Sequence, residues 1–340
     1  MSENNPIKIN KVFITGINGF VGSHLADYIL AKHPEVKIVG LMPWHSPKDN
    51  IRHIVDKLNL CYGDLLDIPS METILREHKP DVIFHLAAQS YVDFSFLAPI
   101  VTLETNVVGT ANLLEAVKKL KTTSGYNPIV HICSSSEVYG QVKENEVPIK
   151  EDNPFRPASP YAVSKVGEDM LGFQYWLSWG IKTIRTRMFT HTGPRRGEVF
   201  VVSNFAKQIA AIESGLQPPV IKVGNLDSVR TFLDVRDAVK AYWMMVEKCT
   251  PGEVYVIGGT ETMTIKEMLD RLLKLSVKKD IKVEVDSARL RPSDVTLQVP
   301  CIDKFIKTTG WKPEIKFDKT LEDTLNYWRD YFKIYYGKNV

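Results

Sequence analysis

The chain has 340 residues, 44% of them hydrophobic and 24% charged, an ordinary globular balance with enough apolar content for a large core. A net charge of +3 and a pI near 8.5 are too mild to argue for nucleic acid, and no apolar run is long enough to span a bilayer. The opening MSENNPIKINK lacks the apolar stretch of a signal peptide, and the four cysteines (Cys61, Cys133, Cys249, Cys301) lie far apart with no ligand spacing, so the expectation is a cytoplasmic chain with free thiols and no metal site.

In chain order, short apolar runs alternate with helical patterns. KVFITG reads as a strand, and VGSHLADYILAK as a helix with Val21, Leu25, Tyr28 and Ile29 on one face. VKIVGLM and LNLCYGDL are the next strands, SMETILREH a helix, and DVIFHLAA a fourth strand. ETNVVGTANLLEAVKKL is a helix, IVHICSS a strand, SPYAVSKVGEDMLGFQYWLSW a long helix and IKTIRTRMF a strand. This alternation predicts an α/β fold: a doubly wound parallel sheet of Rossmann type, covered on both faces. After about residue 190 the pattern breaks into loops, with one clear helix, SNFAKQIAAIESG. FLDVRDAVKAYWMMVEK reads as a strand edge and helix and GEVYVIGG as a strand, both expected to return to the sheet. TIKEMLDRLLKL and TLEDTLNYWRDYF suit a smaller C-terminal lobe. The expected division is a dinucleotide-binding domain over 1–190 and about 231–258, with an interleaved substrate lobe over 191–230 and 259–340.

The first loop, Gly16-Ile17-Asn18-Gly19-Phe20-Val21-Gly22, follows a strand and opens a helix. Gly16 permits a tight turn, Gly19 a close approach to a pyrophosphate, and Gly22 close helix–strand packing. The helix N-terminus adds free N–H groups and partial positive charge. A purely structural βα turn is the competing reading. Farther on, Tyr161-Ala162-Val163-Ser164-Lys165 puts a phenol and an ammonium on one helical face. The ammonium, with the positive ring of an oxidised nicotinamide, favours phenolate, so Tyr161 can take a proton from a hydroxyl group. Ser135, at the end of IVHICSS, is placed to hydrogen-bond the same oxygen, and Glu137 follows two residues later. That is the C-terminal end of a parallel strand, where open α/β sheets bind ligands. A polar strand terminus for Ser135, and a cap or inter-lobe ion pair for Glu137, are the plainer alternatives.

The two-residue spacing between the first glycines resembles the extended short-chain dehydrogenase/reductase family, in its NAD-dependent epimerase/dehydratase branch. AAQSYVDFS, HTGPRRGEVF, VGNLDSVRTFLDVRD and LRPSDV are most similar to GDP-mannose 4,6-dehydratases and GDP-4-keto-6-deoxymannose reductases. The resemblance implies a dinucleotide held by Gly16, Asn18, Gly19, Phe20, Val21, Gly22, Asp64, Leu65, Leu86, Ala87, Ala88, Tyr161 and Lys165. It implies a GDP-sugar met by Gln89, Ser90, Ser136, Thr190, Arg195 (or Arg196), Lys207 and Asn225, with Arg230 and Arg291 clamping the diphosphate. The catalytic residues would be Ser135, Glu137, Tyr161 and Lys165, with a dimer or dimer-based tetramer as the assembly.

Two positions depart from the pattern: Thr190 stands where an asparagine is common, and Pro43-Trp44 where the mannose dehydratases carry arginines. No acid ends the second strand, which tilts the cofactor from NAD towards NADP, with His45, Lys48 or Arg52 as partners for its extra phosphate. The expected reaction is a 4,6-dehydration. Tyr161 serves oxidation at C4, Glu137 takes the C5 proton, water leaves C6, and the hydride returns to C6. A C4 reductase, dehydrogenase or epimerase uses the same Tyr–Lys machinery. A catalytically idle nucleotide sensor is disfavoured by the intact Ser135, Tyr161 and Lys165.

Overall fold

Alternate residues of the first strand face opposite layers: Val12 and Ile14 pack into one apolar cluster and Phe13 into another, as period-2 geometry requires. The computed structural model describes residues 8–290 and 295–337. Its strands are β1 (Lys11–Thr15), β2 (Lys37–Met42), β3 (Asn59–Tyr62), β4 (Val82–His85), β5 (Ile129–Ser135), β6 (Lys182–Met188), β7 (His191–Thr192), β8 (Val220–Val223), β9 (Val229–Asp234), β10 (Val254–Ile257), β11 (Glu261–Thr264), β12 (Lys282–Val285) and β13 (Leu297–Gln298). The helices are α1 (Phe20–Lys32), α2 (Ile68–His78), α3 (Val92–Leu97), α4 (Pro99–Leu103), α5 (Gly109–Ser124), α6 (Pro160–Trp179), α7 (Val201–Glu213), α8 (Val235–Lys248), α9 (Ile265–Lys274), α10 (Asp303–Thr309) and α11 (Phe317–Tyr336).

Seven parallel strands form the central sheet in the order β10-β6-β5-β4-β1-β2-β3. The chain order reverses between β1 and β4, the crevice where doubly wound sheets take ligands. Leu25 and Ile29 of α1 and Tyr242 and Trp243 of α8 cover one face. Leu75 of α2, Leu113 and Val117 of α5 and Tyr175 of α6 cover the other. A second core joins α7, α9 and α11 through Phe205, Ile209, Leu272, Leu321 and Leu325, beside two small sheets, β11-β9-β13 with β7 on β9, and β12-β8.

Two local features differ from the sequence expectation. Residues 104–108, expected as the start of a regular helix, form one wider π-helical turn before α5 begins at Gly109. There a Cβ would come within 2.9 Å of the Leu65 side chain, so the backbone approach requires glycine. FLDVRD forms a strand, but β9 pairs with β7, β11 and β13 rather than joining the central sheet. β9 passes into α8 without a connecting residue, Asp234 accepting from Arg236 N at 2.8 Å as the helix cap. The strand therefore lies beyond the rim of the central sheet, where α8 begins its run back across it. Only α8 and β10 rejoin that sheet, through α1 and β6.

Candidate active site

The glycine loop turns where the chain leaves β1. Gly16 has φ +70°, a left-handed conformation that glycine adopts without strain. A Cβ on Gly22 would lie 2.2 Å from the Gly16 carbonyl oxygen, so α1 approaches the loop only because that carbon is missing. Gly19 precedes α1 without a side-chain cap, and no acid occupies the first turn, leaving N–H groups for an anion. Asn18 secures the neighbouring loop instead: its amide donates to Pro47 O, and Asn50 donates to Asn18 O, both at 3.0 Å. Phe20 and Val21 start α1 and are half-buried against its core.

The loop after β4 is held by a buried relay. Thr15 Oγ1 accepts from Leu86 N and Ala87 N at 3.0 Å each and contacts His85 Nδ1 at 3.0 Å. His85 Nε2 meets Thr110 Oγ1 at 2.9 Å, and Thr110 donates to Asn106 O at 2.6 Å. Burial pulls the His85 pKa down to about 3, so the ring stays neutral. Ala87 lies 3.0 Å from where a Gly16 Cβ would be, and Ala88 continues the same loop, so the two loops flank one crevice. Asp64 Oδ1 accepts from Leu66 N at 2.9 Å, and Leu65 is buried with its carbonyl held by Asn112 at 2.9 Å. These features (an open helix N-terminus, a cradle that one Cβ would fill, two pinned loops) fit a dinucleotide.

Tyr161 sits in the first turn of α6, which Ser159 caps by accepting from Ala162 N at 3.0 Å. Ser135 ends β5, where its hydroxyl helps pull the Tyr161 pKa down, and accepts from Glu137 N at 3.2 Å. Lys165 Nζ lies 5.9 Å from the Tyr161 ring centre and donates to Cys133 O at 3.0 Å and Glu168 at 2.9 Å. Burial raises the Tyr161 pKa, against the lowering pull of Lys165 and Ser135. The ammonium acts in the expected direction, favouring phenolate, but without a further positive charge in the site burial outweighs it. Glu137 Oε1 accepts from Gln298 Nε2 at 3.2 Å, while Ser136 Oγ donates to Gln298 Oε1 at 3.0 Å.

Ser135, Glu137 and Tyr161 line a cavity of about 810 Å³ between the sheet's C-terminal rim and the second lobe. Ser90, Ser136, Thr190, Lys207, Asn225 and Arg230 line it too. Lys207 pairs with Glu198, Asn225 Nδ2 donates to Ser228 Oγ at 3.0 Å, and Arg230 donates to the Val229 and Val295 carbonyls. Gln89 does not line the cavity. Its amide is used within its own loop, accepting from Tyr91 N at 2.6 Å and donating to Thr102 Oγ1 at 3.0 Å. Arg195 also turns away, at φ +68°, to pair with Asp27 at 2.7 Å. Arg291 lies outside the described residues.

Arg196 takes the cavity position instead. Its guanidinium lies 3.4 Å from the Phe200 ring centre and 4.9 Å from that of Phe20, and burial lowers its pKa to about 10. His191, stacked on Phe20 at 5.8 Å, is kept neutral by burial and Arg196, its pKa lowered to about 4. His191, Gln298 and the buried Asn106, which bridges Gln89 to Ser164 (2.8 Å) on α6, carry no sequence signal that motif spacing detects. Of the three candidate phosphate partners, Arg52 pairs with Asp49 at 2.7 Å, and His45 packs near Trp44 at 6.1 Å between ring centres. Lys48 donates to Tyr62 OH at 2.9 Å and has no carboxylate partner among the described residues. Nor do those residues contain a cluster of three metal-ligating side chains, or a helix long and apolar enough to cross a membrane.

The family model described as GDP-mannose 4,6 dehydratase matches residues 13–324. The chain belongs to that family. Over 318 residues it is 34% identical to the GDP-6-deoxy-D-mannose reductase of Pseudomonas aeruginosa, covering 94% of this chain and 97% of the relative. It is 33% identical to the GDP-mannose 4,6-dehydratase of Vibrio cholerae, over 90% of each chain. The solved structure of RMD from Pseudomonas aeruginosa complexed with NADPH superposes with a TM-score of 0.81 at 32% identity, covering 95% of this chain and 99% of that one. Membership of the GDP-mannose 4,6-dehydratase family agrees with the seven-stranded parallel sheet and makes the chain an enzyme of the short-chain dehydrogenase/reductase type. Relatives of two different activities stand at nearly the same identity, so overall similarity does not separate dehydratase from reductase.

Proposed function

We propose that this family member is a GDP-sugar 4,6-dehydratase of the GDP-mannose or GDP-heptose type. The carrying observation is that Glu137, steadied by Gln298, opens onto the same cavity as Ser135 and Tyr161. A C4 chemistry alone needs Tyr161 and Ser135; a carboxylate beside them supplies the base that C5 requires. When bound, a nicotinamide dinucleotide supplies reversible hydride transfer at the sugar carbons. The glycine loop, Leu86 to Ala88, and Asp64 with Leu65 hold it. Tyr161, with Ser135 beside it in the cavity lining, takes the C4 hydroxyl proton. Glu137 removes the C5 proton, made acidic by the neighbouring C4 ketone, and returns a proton to the departing C6 hydroxyl. Arg230, with Lys207, meets the nucleotide diphosphate, and Asn225 lies near the base. Lys48, with no carboxylate partner among the described residues, supports NADP over NAD. A reductase or dehydrogenase of the same GDP-sugars is the second reading, favoured by the Pseudomonas reductase at 34% identity.

The test is to incubate the protein with GDP-mannose and GDP-heptose, without added cofactor, and weigh the products. Loss of one water is expected. Loss of two hydrogens, or no water loss from any GDP-sugar offered, sinks the dehydratase reading in favour of the second. For the cofactor, Lys48→Ala should weaken NADP binding while leaving NAD binding unchanged by calorimetry; equal effects on both remove Lys48 from the phosphate site. A second copy of this chain is the expected macromolecular partner. Leu97, Ile100, Val163, Phe173 and Leu177 expose apolar side chains on α3, α4 and α6, a surface of the kind that marks an interface. Sedimentation should give a dimer or a multiple of it, and a monomer at micromolar concentration overturns that.

A further inference from the structure

One turn beyond Tyr161 on α6, a buried ion pair faces away from the cavity lining. Lys165 and Glu168 meet at 2.9 Å with side chains only 6% and 2% exposed. The ammonium's three donors are largely committed: one goes to Cys133 O at 3.0 Å and one to Glu168 Oε2. The other Glu168 oxygen, Oε1, is buried with no hydrogen-bond partner. A half-satisfied buried carboxylate is costly, and an apolar residue at this helical position would avoid the cost. The compensating effect falls on Lys165, and through it on Tyr161.

We propose that Glu168 is a positioning residue for the Tyr161–Lys165 couple: it anchors the ammonium against β5 and offsets its charge where the phenol feels it. The proposal rests on reading Tyr161 as the acid–base group. With Glu168 in place, the free protein keeps Tyr161 protonated, and phenolate forms only when a further positive charge enters the site. Burial pushes the Glu168 carboxyl up, against the pull of Lys165, while Glu168 in turn works with burial to raise Tyr161. Other groups also face the pair: Arg196 lines the cavity with Tyr161 and interacts with it electrostatically, and both proteins of the comparison, parent and variant, keep it. Asp169, the next residue on α6, is engaged by Arg185 and Arg187 of β6, each at 2.8 Å. Cys133 of β5 is a half-buried thiol with a raised pKa, 3.2 Å from Tyr242 OH of α8. His131 of β5 and His85 of β4 are both held neutral by burial, their pKa values pulled down to about 3.

The decisive measurement needs no cofactor. Tyrosine ring carbons are labelled, the Tyr161 signal is assigned by its loss in Tyr161→Phe, and its titration is followed by NMR. In Glu168→Gln, an isosteric change, the midpoint should fall by roughly one pH unit, the scale of one nearby buried charge. The alkaline-rising limb of turnover should move the same way, while GDP binding stays unchanged because Glu168 does not line the cavity. Glu168→Asp should restore the parent titration. An unmoved or raised Tyr161 midpoint in Glu168→Gln overturns the proposal. Should the glutamine variant not fold, the aspartate variant decides alone: a parent-like midpoint is expected, and a displaced one overturns it. The two ideas fail separately, since parental turnover in Tyr161→Phe sinks the acid–base reading, whereas an unmoved phenol in Glu168→Gln sinks only the role of Glu168.

Discussion

Replacing Gly22 by alanine sets two known effects against each other. Gly22 lies in the first turns of α1, where alanine is favoured over glycine by up to about 1 kcal/mol. The added Cβ, however, would sit 2.2 Å from Gly16 O, 2.9 Å from Gly16 C and 3.0 Å from Ile17 Cα. The first distance falls more than an ångström short of ordinary contact, and all three atoms are backbone. No side chain can rotate away, so either α1 moves off β1 or the loop opens. Overpacking of that kind costs typically about 1–3 kcal/mol or more, which exceeds the helix-propensity gain. Gly19 provides the control: its Cβ would meet only Gly16 O, at 3.1 Å, a strain that a few tenths of an ångström relieves. By differential scanning fluorimetry without cofactor, Gly22→Ala should melt several degrees lower (roughly 2–4 °C for each kcal/mol lost), and Gly19→Ala close to the parent. Calorimetric titration should show NADP binding at least about tenfold weaker in Gly22→Ala, since the loop carries the N–H groups proposed to meet the pyrophosphate. A Gly22→Ala protein that melts at or above the parent and binds NADP with parental affinity would refute the argument.

Tyr161→Phe keeps the ring and removes the proton acceptor, so turnover should drop by a factor of about a hundred or more while NADP affinity is retained; near-parental turnover rules out the mechanism. In Glu137→Gln, hydride transfer at C4 should persist, whereas exchange of the C5 hydrogen with deuterated water and loss of water should nearly stop; dehydration at the parent rate means Glu137 is not the base. A third expectation concerns acid stability. Burial alone would raise the Glu213 pKa, but Arg329 at 2.8 and 2.9 Å, with Val277 N and Ser276, outweighs it and holds the carboxyl below its ordinary value. A depressed folded pKa stabilises fully above the unfolded value, near 4.3 for glutamate, and that stability is lost as pH falls through the folded value. Glu213→Gln should therefore be less stable at pH 7 yet lose less on going from pH 6 to pH 3; urea midpoints falling in parallel with the parent would contradict this.

Much of the site is readable without coordinates because it is local. Strand and helix periods place Gly16 to Gly22 between β1 and α1, Ser135 and Glu137 at the end of β5, and Tyr161 four residues from Lys165 on one helical face. Each relation spans a few residues and follows from backbone geometry alone. The adjacent arginines mark where such reading stops. Arg195 and Arg196 look alike in PRRGE, yet one pairs with Asp27 of α1 and the other lines the cavity against Phe20 and Phe200. The left-handed backbone at Arg195 separates them, and no spacing rule encodes it.

The sequence by itself determined the doubly wound sheet, the glycine loop between β1 and α1 and the candidate acid–base residues, because repeating patterns of apolar side chains and glycines restrict the backbone directly. The tertiary structure decided which polar groups those residues answer to. Gln298 reaches Glu137 and Ser136 from more than 160 residues away. His85 holds the crevice through Thr15 and Thr110, and Glu168 and Cys133 claim the donors of Lys165. A hydrogen bond or ion pair takes its worth from the burial around it, and burial is a property of the assembled chain.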